Sequence, residues 1–172
     1  MEHQDGARED GVTSLIFSTS TAPLSRAIRA LSRSEASHCG IGLRIDGVDI
    51  VADASLLGVE MVERSRWLRG KTLVLEFIFP PLHAPTTAYV MGELGRGYDY
   101  SGMLGYLPIY LARWFGRGIT NPWASPTRYV CSEFVVRGML QRLPLRMLAD
   151  SESCDPESLM QFCREADYAR VT

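Results

Sequence analysis

Ser37-His38-Cys39-Gly40-Ile41-Gly42-Leu43-Arg44-Ile45 runs into Asp46-Gly47 and returns as Val48-Asp49-Ile50-Val51-Ala52-Asp53-Ala54. Asp-Gly between two β-rich runs is a strong hairpin signal, because a type I′ turn requires positive φ at both central residues. The pattern predicts strands over 37–45 and 48–54, with the return strand bringing Asp53 back alongside His38. Gly40 and Gly42 leave room for another backbone or a substrate to come close. Asp49 lies nearer the turn and reads as exposed. Asp53 reads equally well as a solvent-facing strand residue or as an acceptor for the His38 ring.

Working outward, Val12–Ser18 is a β-rich run, and Pro23 stands where a helix can start, with Leu24, Ile28 and Leu31 at helical spacing. Downstream, strands are expected over 58–62 and 72–79, with a helical turn over 65–68 between them. Pro80-Pro81 ends the second of these strands. A helix is expected over 86–94, stopped at Gly95 and Gly97. The strongest helix pattern runs from Tyr129 to about Leu143, where Pro144 ends it, and a last helix follows the Asp155-Pro156 start signal. Strands in succession followed by helices favour an α+β fold with an antiparallel sheet. Residues 1–11 read as a flexible lead-in and 12–172 as a single domain.

The chain has 172 residues, enough for a core that needs no disulfide or metal to hold it. With 18 basic and 20 acidic residues its net charge is −2, which gives no global electrostatic footprint for nucleic acid. The arginine groups Arg26, Arg29, Arg33 and Arg64, Arg66, Arg69 read as solvated faces rather than phosphate sites. Cys39, Cys131, Cys154 and Cys163 contain no C-x-x-C, so neither a zinc site nor a disulfide framework is indicated, and a Cys154–Cys163 bridge is a minor alternative. Met1–Gly11 lacks the basic-then-apolar layout of a signal peptide, so cytoplasmic synthesis is expected, with signal-less export open.

Cys131 lies in the first turn of the Tyr129–Leu143 helix pattern. A helix N-terminus and a nearby imidazolium both lower a thiol pKa, and the thiolate is the nucleophile. His38 would serve as its base, whereas His3 in the lead-in and His83 after two prolines are poorer candidates. Taken alone, Cys131 reads more simply as a small buried core residue, and His38 as a structural histidine at a strand edge.

Taken together the segments resemble the circularly permuted branch of the NlpC-type papain-like superfamily, the YaeF/YiiX-like amidases related to lecithin:retinol acyltransferase. Ser37, His38, Gly40 and Ile41 are similar to the family's histidine motif. Asp53-Ala54 and Gly58-Val59 are similar to its acidic segment, and Cys131, Ser132, Glu133, Phe134 and Val135 to its nucleophile motif. Pro23-Leu24-Ser25 with Ile28 is similar to its first helix, and Gly97-Tyr98-Asp99 to a motif before its cysteine helix. The chain departs from that pattern at Cys39, where an aliphatic residue is usual, and at Asp53, where glutamate is common.

The resemblance implies a permuted papain-like fold, an antiparallel sheet packed against the Cys131 helix. It implies a cysteine hydrolase with a Cys131–His38–Asp53 triad and no cofactor or metal. The backbone N–H of Cys131 would help form an oxyanion hole, with Tyr98 or Tyr129 as a side-chain donor. A peptidoglycan peptide or similar amide is the first substrate reading, with a cell-wall role. A lipid-directed acyltransferase or thioesterase is the second, and a non-catalytic binding module the third. Residues 101–118, rich in glycine, aromatic and aliphatic side chains, are too short to span a bilayer, which takes about 20 apolar residues. They read as a core helix, as the wall of an acyl groove, or as a peripheral membrane or partner contact through Tyr110, Trp114 and Phe115.

Overall fold

The computed structural model describes residues 11–79, 83–139, 154–166 and 170–171. Five strands form the body of one sheet: β1 (Thr13–Ser20), β2 (His38–Ile45), β3 (Val48–Ser55), β4 (Gly58–Glu63) and β5 (Lys71–Phe79). The two-residue β6 (Arg170–Val171) joins β5, giving the order β4-β3-β2-β1-β5-β6, antiparallel throughout. The helices are α1 (Pro23–Ser32), α2 (Arg64–Trp67), α3 (His83–Glu93), α4 (Tyr100–Trp114), α5 (Cys131–Met139) and α6 (Pro156–Glu165). This is the expected α+β architecture.

The hairpin forms as its turn residues require, with φ of 50° at Asp46 and 76° at Gly47. Its register sets Ile41 opposite Ala52 and Ile45 opposite Val48. Strand alternation then divides the side chains between two faces. One face carries Leu15, Phe17, Cys39, Ile41 and Ala52 into the main core, where α5 packs on β2 and β3. The other carries Ile16 and Val51 against Trp67 of α2.

That second face also buries charge. Glu76 is fully buried and accepts from both terminal nitrogens of Arg64, at 2.9 and 2.8 Å, and from Ser14 Oγ at 2.6 Å. Arg64 is therefore no part of a solvated arginine face. It fixes α2 to the sheet, a pairing that the local pattern of Arg64, Arg66 and Arg69 does not reveal. The four cysteines are free thiols, so no Cys154–Cys163 bridge forms.

α4 begins at Asp99, which accepts from Gly102 N at 2.9 Å, Ser101 Oγ at 2.7 Å and Ser125 N at 2.7 Å. Tyr106 of α4 donates to the Cys154 carbonyl at 2.9 Å, and Arg113 pairs at 3.1 Å with Asp155, which caps α6. Among the described residues no helix is long and apolar enough to cross a membrane. Residues 1–10 of the 1–11 lead-in, the Pro80-Pro81 stop and the Leu140–Pro144 helix end lie outside the described residues.

Candidate active site

The candidate residues gather at one end of the sheet, where β1 and β3 finish and β2 and β5 begin. Ser37 N donates to Ser18 O at 3.0 Å, and Ser37 Oγ lies 2.6 Å from Ser25 Oγ on α1. Ser25 in turn bonds both the N–H and the carbonyl of Ser20 at 3.0 Å. A small serine cluster thus holds the α1 start against the strand ends just before His38.

His38 Nε2 and Asp53 Oδ2 are 2.5 Å apart. Asp53 is fully buried, so it is not a solvent-facing strand residue, whereas Asp49 lies near the surface and pairs with Arg44 at 3.1 Å. Gly40 permits the approach of β3, since a Cβ there would sit 2.8 Å from Val51 Cγ1 and 3.2 Å from Asp53 Cβ. Trp67 Nε1 donates to the same Oδ2 at 2.5 Å, and the indole stacks on His38 with ring centroids 5.7 Å apart. Lys71 Nζ stands 3.9 Å from Asp53 Oδ2 and 3.9 Å from the Trp67 ring centroid.

Cys131 enters from the other direction as the first residue of α5, nearly buried at 7% exposure. It lines one cavity together with His38. Donation from Cys39 is the largest cause holding the Cys131 thiol well below its ordinary range. The His38 charge and hydrogen bond add to it against burial, which opposes ionisation. Burial would lower the His38 pKa, but the Cys131 charge and the Asp53 hydrogen bond outweigh it and push His38 up to about 10. Burial would raise Asp53, yet the His38 bond and charge, Trp67 and Lys71 hold it below the usual carboxylate value. The two shifts run in opposite directions, the thiol down and the imidazole up, which is the sense that favours a charged Cys131–His38 pair.

Cys131 lines a cavity of about 470 Å³ between α1 and α4. Leu24, Ile28 and Leu31 of α1 face Met103, Leu104 and Leu107 of α4 across it, while His38, Lys71 and Tyr98 supply polar groups. Burial keeps the Tyr98 hydroxyl protonated and a donor at neutral pH. Tyr129 donates to Glu93 at 2.7 Å, whereas Tyr98 lines the cavity with Cys131.

The sequence pattern brings His38, Asp53 and Cys131 forward and misses Trp67, Lys71 and the donor role of Cys39. Trp67 ends a short helical turn and Lys71 opens β5, neither within a motif of its own. Cys39 carries a signal, as a thiol where the family pattern has an aliphatic residue.

Over 130 residues the chain is 28% identical to the probable lipoprotein peptidase YaeF of Escherichia coli K12, covering 73% of this chain and 46% of YaeF. The chain is similar to YaeF in sequence. It spans about half the length of that curated relative. The solved structure of the metalloprotein YiiX from Escherichia coli O157:H7 matches with a TM-score of 0.63 at 16% identity, over 96% of this chain and 98% of YiiX. That likeness concerns the fold. No family model matches the chain. Among the described residues no group of three or more His, Cys, Asp or Glu side chains is placed to hold a metal ion. Asp53, His38 and Cys131 are engaged with one another and with Trp67 and Cys39. So engaged, these side chains do not fit a resident metal, and no step is assigned to one.

Proposed function

We propose that this YaeF/YiiX-like chain is a cysteine hydrolase on a circularly permuted papain-like scaffold, with Cys131 as nucleophile, His38 as base then acid, and Asp53 orienting the ring. The observation that carries the reading is that Cys131, at the N-terminus of α5, and the carboxylate-bound imidazole of His38 line one cavity. Similarity to YaeF, a probable lipoprotein peptidase, supports it. So does the order of the residues, His38 before Cys131.

The Cys131 thiolate attacks the carbonyl carbon of an amide, ester or thioester. The developing oxyanion takes the backbone N–H of Cys131 and the Tyr98 hydroxyl as donors. The His38 imidazolium protonates the leaving group as the carbonyl re-forms, leaving an acyl-enzyme on Cys131. Neutral His38 then takes a proton from the attacking water or other acceptor, and the thiolate is released with the acyl product. Asp53 keeps the ring oriented throughout and stabilises its positive charge.

The aliphatic lining between α1 and α4 favours an acyl portion that is itself apolar. A carboxylate-bearing cell-wall peptide would leave its charges facing the aliphatic side chains of Ile28, Leu31 and Leu107, with Lys71 as the main cationic partner. The lipid-directed reading therefore moves ahead of the peptidoglycan reading. Incubation with long-chain acyl esters, acyl thioesters and muropeptides, followed by intact-mass analysis, tests both. The expected result is an acyl adduct on Cys131 from the apolar substrates, absent in Cys131→Ala. Turnover of muropeptides alone would restore the cell-wall reading, and binding without adduct or turnover would favour a non-catalytic module.

A further inference from the structure

α4 is apolar on two sides. Gly102, Tyr106, Ile109 and Tyr110 are buried, while Tyr100, Leu104, Leu107, Leu111 and Trp114 form a second, exposed row. At 100° per residue that row occupies an arc of only about 80°. Phe115, the next residue, is 81% exposed. An apolar stripe of this length on a helix surface calls for a partner.

Charge is segregated around the same surface. Residues 11–34 and 100–132 contain six arginines and not one Asp or Glu, in a chain whose net charge is −2. The first segment holds α1 and the second holds α4, and the two helices pack together. Arg33 lies over the Trp114 ring at 5.6 Å, and Arg117 follows Phe115 by two residues. Carboxylates border these segments: Asp99, which caps α4, and Asp155, which pairs with Arg113, are buried, and exposed Glu35 pairs with Arg164 at 3.4 Å.

We infer that the exposed α4 stripe with its flanking arginines is a docking surface for an anionic lipid bilayer. The apolar row enters the acyl boundary and the guanidinium groups meet the lipid phosphates, the arrangement of an interfacial rather than a spanning helix. The occupant is argued from charge: these segments carry arginines and no carboxylate, and the bordering Asp99, Glu133 and Glu35 are buried or ion-paired, so little exposed negative charge opposes anionic headgroups. The surface is also continuous with the cavity. Leu104 and Leu107 are exposed at 61% and 48% and yet line the space that contains Cys131. Docking in this orientation sets the cavity mouth at the lipid. The inference concerns binding and does not depend on the chemistry assigned to Cys131.

Co-sedimentation of the full chain, carrying Cys131→Ser, tests it with vesicles of equal parts phosphatidylcholine and phosphatidylglycerol against vesicles of phosphatidylcholine alone. The protein should sediment with the anionic vesicles, with a blue shift in tryptophan emission and release at high salt. Leu111→Gln with Phe115→Gln should weaken the partition about tenfold or more, and Arg33→Gln with Arg117→Gln should remove its dependence on phosphatidylglycerol. All four side chains are at the surface, and circular dichroism would establish that the variants are folded. No sedimentation with anionic vesicles, or sedimentation that both variants leave unchanged, would overturn the inference. So would a stable dimer that Leu111→Gln with Phe115→Gln splits, which would assign the stripe to a second copy of this chain. Because Cys131→Ser removes turnover, a negative result here leaves the hydrolase reading standing, and failed acylation leaves this one standing.

Discussion

Trp67 donates its indole N–H to Asp53 Oδ2 at 2.5 Å, the same oxygen that binds His38, while its ring stacks against the imidazole. One side chain from a single helical turn therefore orders two members of the candidate triad. Trp67→Phe keeps an aromatic ring and loses the donor. It should cost about 1.5–3 kcal/mol, the range for a hydrogen bond to a charged group, as read by urea denaturation. Acylation of Cys131 should slow along with it. Unchanged kinetics in a folded Trp67→Phe would reduce Trp67 to a packing residue.

The pH dependence of alkylation follows from the two shifted groups. Cys131 lies below its ordinary pKa and His38 is pushed up to about 10. Iodoacetamide labelling of Cys131 should thus stay fast through neutrality and fall only when acid protonates the thiolate. The imidazolium persists until about pH 10, so hydrolysis that needs it as an acid should fade on the alkaline side. In His38→Ala the labelling profile should move towards the ordinary thiol range. Cys39, Cys154 and Cys163, whose pKa values burial raises, should label slowly in the folded protein.

Cys39 gives a more selective test. Its thiol donation is the largest cause of the low Cys131 pKa. Cys39→Ala removes that donor and leaves His38, Asp53 and the backbone N–H of residue 39 in place. The midpoint of the Cys131 labelling profile should rise, with the circular dichroism spectrum unchanged. An unmoved midpoint would show that the imidazolium alone sustains the thiolate.

Gly40 tests the hairpin geometry. An alanine Cβ would lie 2.8 Å from Val51 Cγ1 and 3.1 Å from the Ala52 carbonyl, both on the strand that carries Asp53. Gly40→Ala should destabilise by about 1–3 kcal/mol, as overpacking of a tight contact does. Displacing β3 should also lengthen the His38–Asp53 contact and shift the labelling profile upward. Stability loss without a profile shift would separate the two roles.

Glu76 and Arg64 anchor α2 from the far side of the sheet. Arg64→Met leaves a fully buried carboxylate with only Ser14 Oγ among these partners, and removing one member of such a pair costs about 3–5 kcal/mol. Arg64→Lys, which keeps a positive charge there, should lose less, and urea denaturation of the two variants would check the order.

The hairpin is legible in the sequence because its determinants are local. Asp46-Gly47 dictates the turn, strand period fixes which residues share a face, and together they set Asp53 beside His38. The strands and helices around it follow from the same short-range rules. Cys131 is legible as the start of a helix, and its place in the chain after His38 carries the family resemblance. What joins these pieces is not local. Trp67 reaches Asp53 only because Arg64, on the same helical turn, finds Glu76 across the sheet, a pairing that no sequence spacing encodes. Cys39 acts on Cys131 only because α5 packs over β2, from a distant part of the chain. The two-sided character of α4 also waits for packing, since an almost uniformly apolar helix does not announce which face it will bury. Periodicity and turn chemistry determined the elements; long-range burial, where a polar atom must find its partner or bear the full cost of desolvation, decided the site.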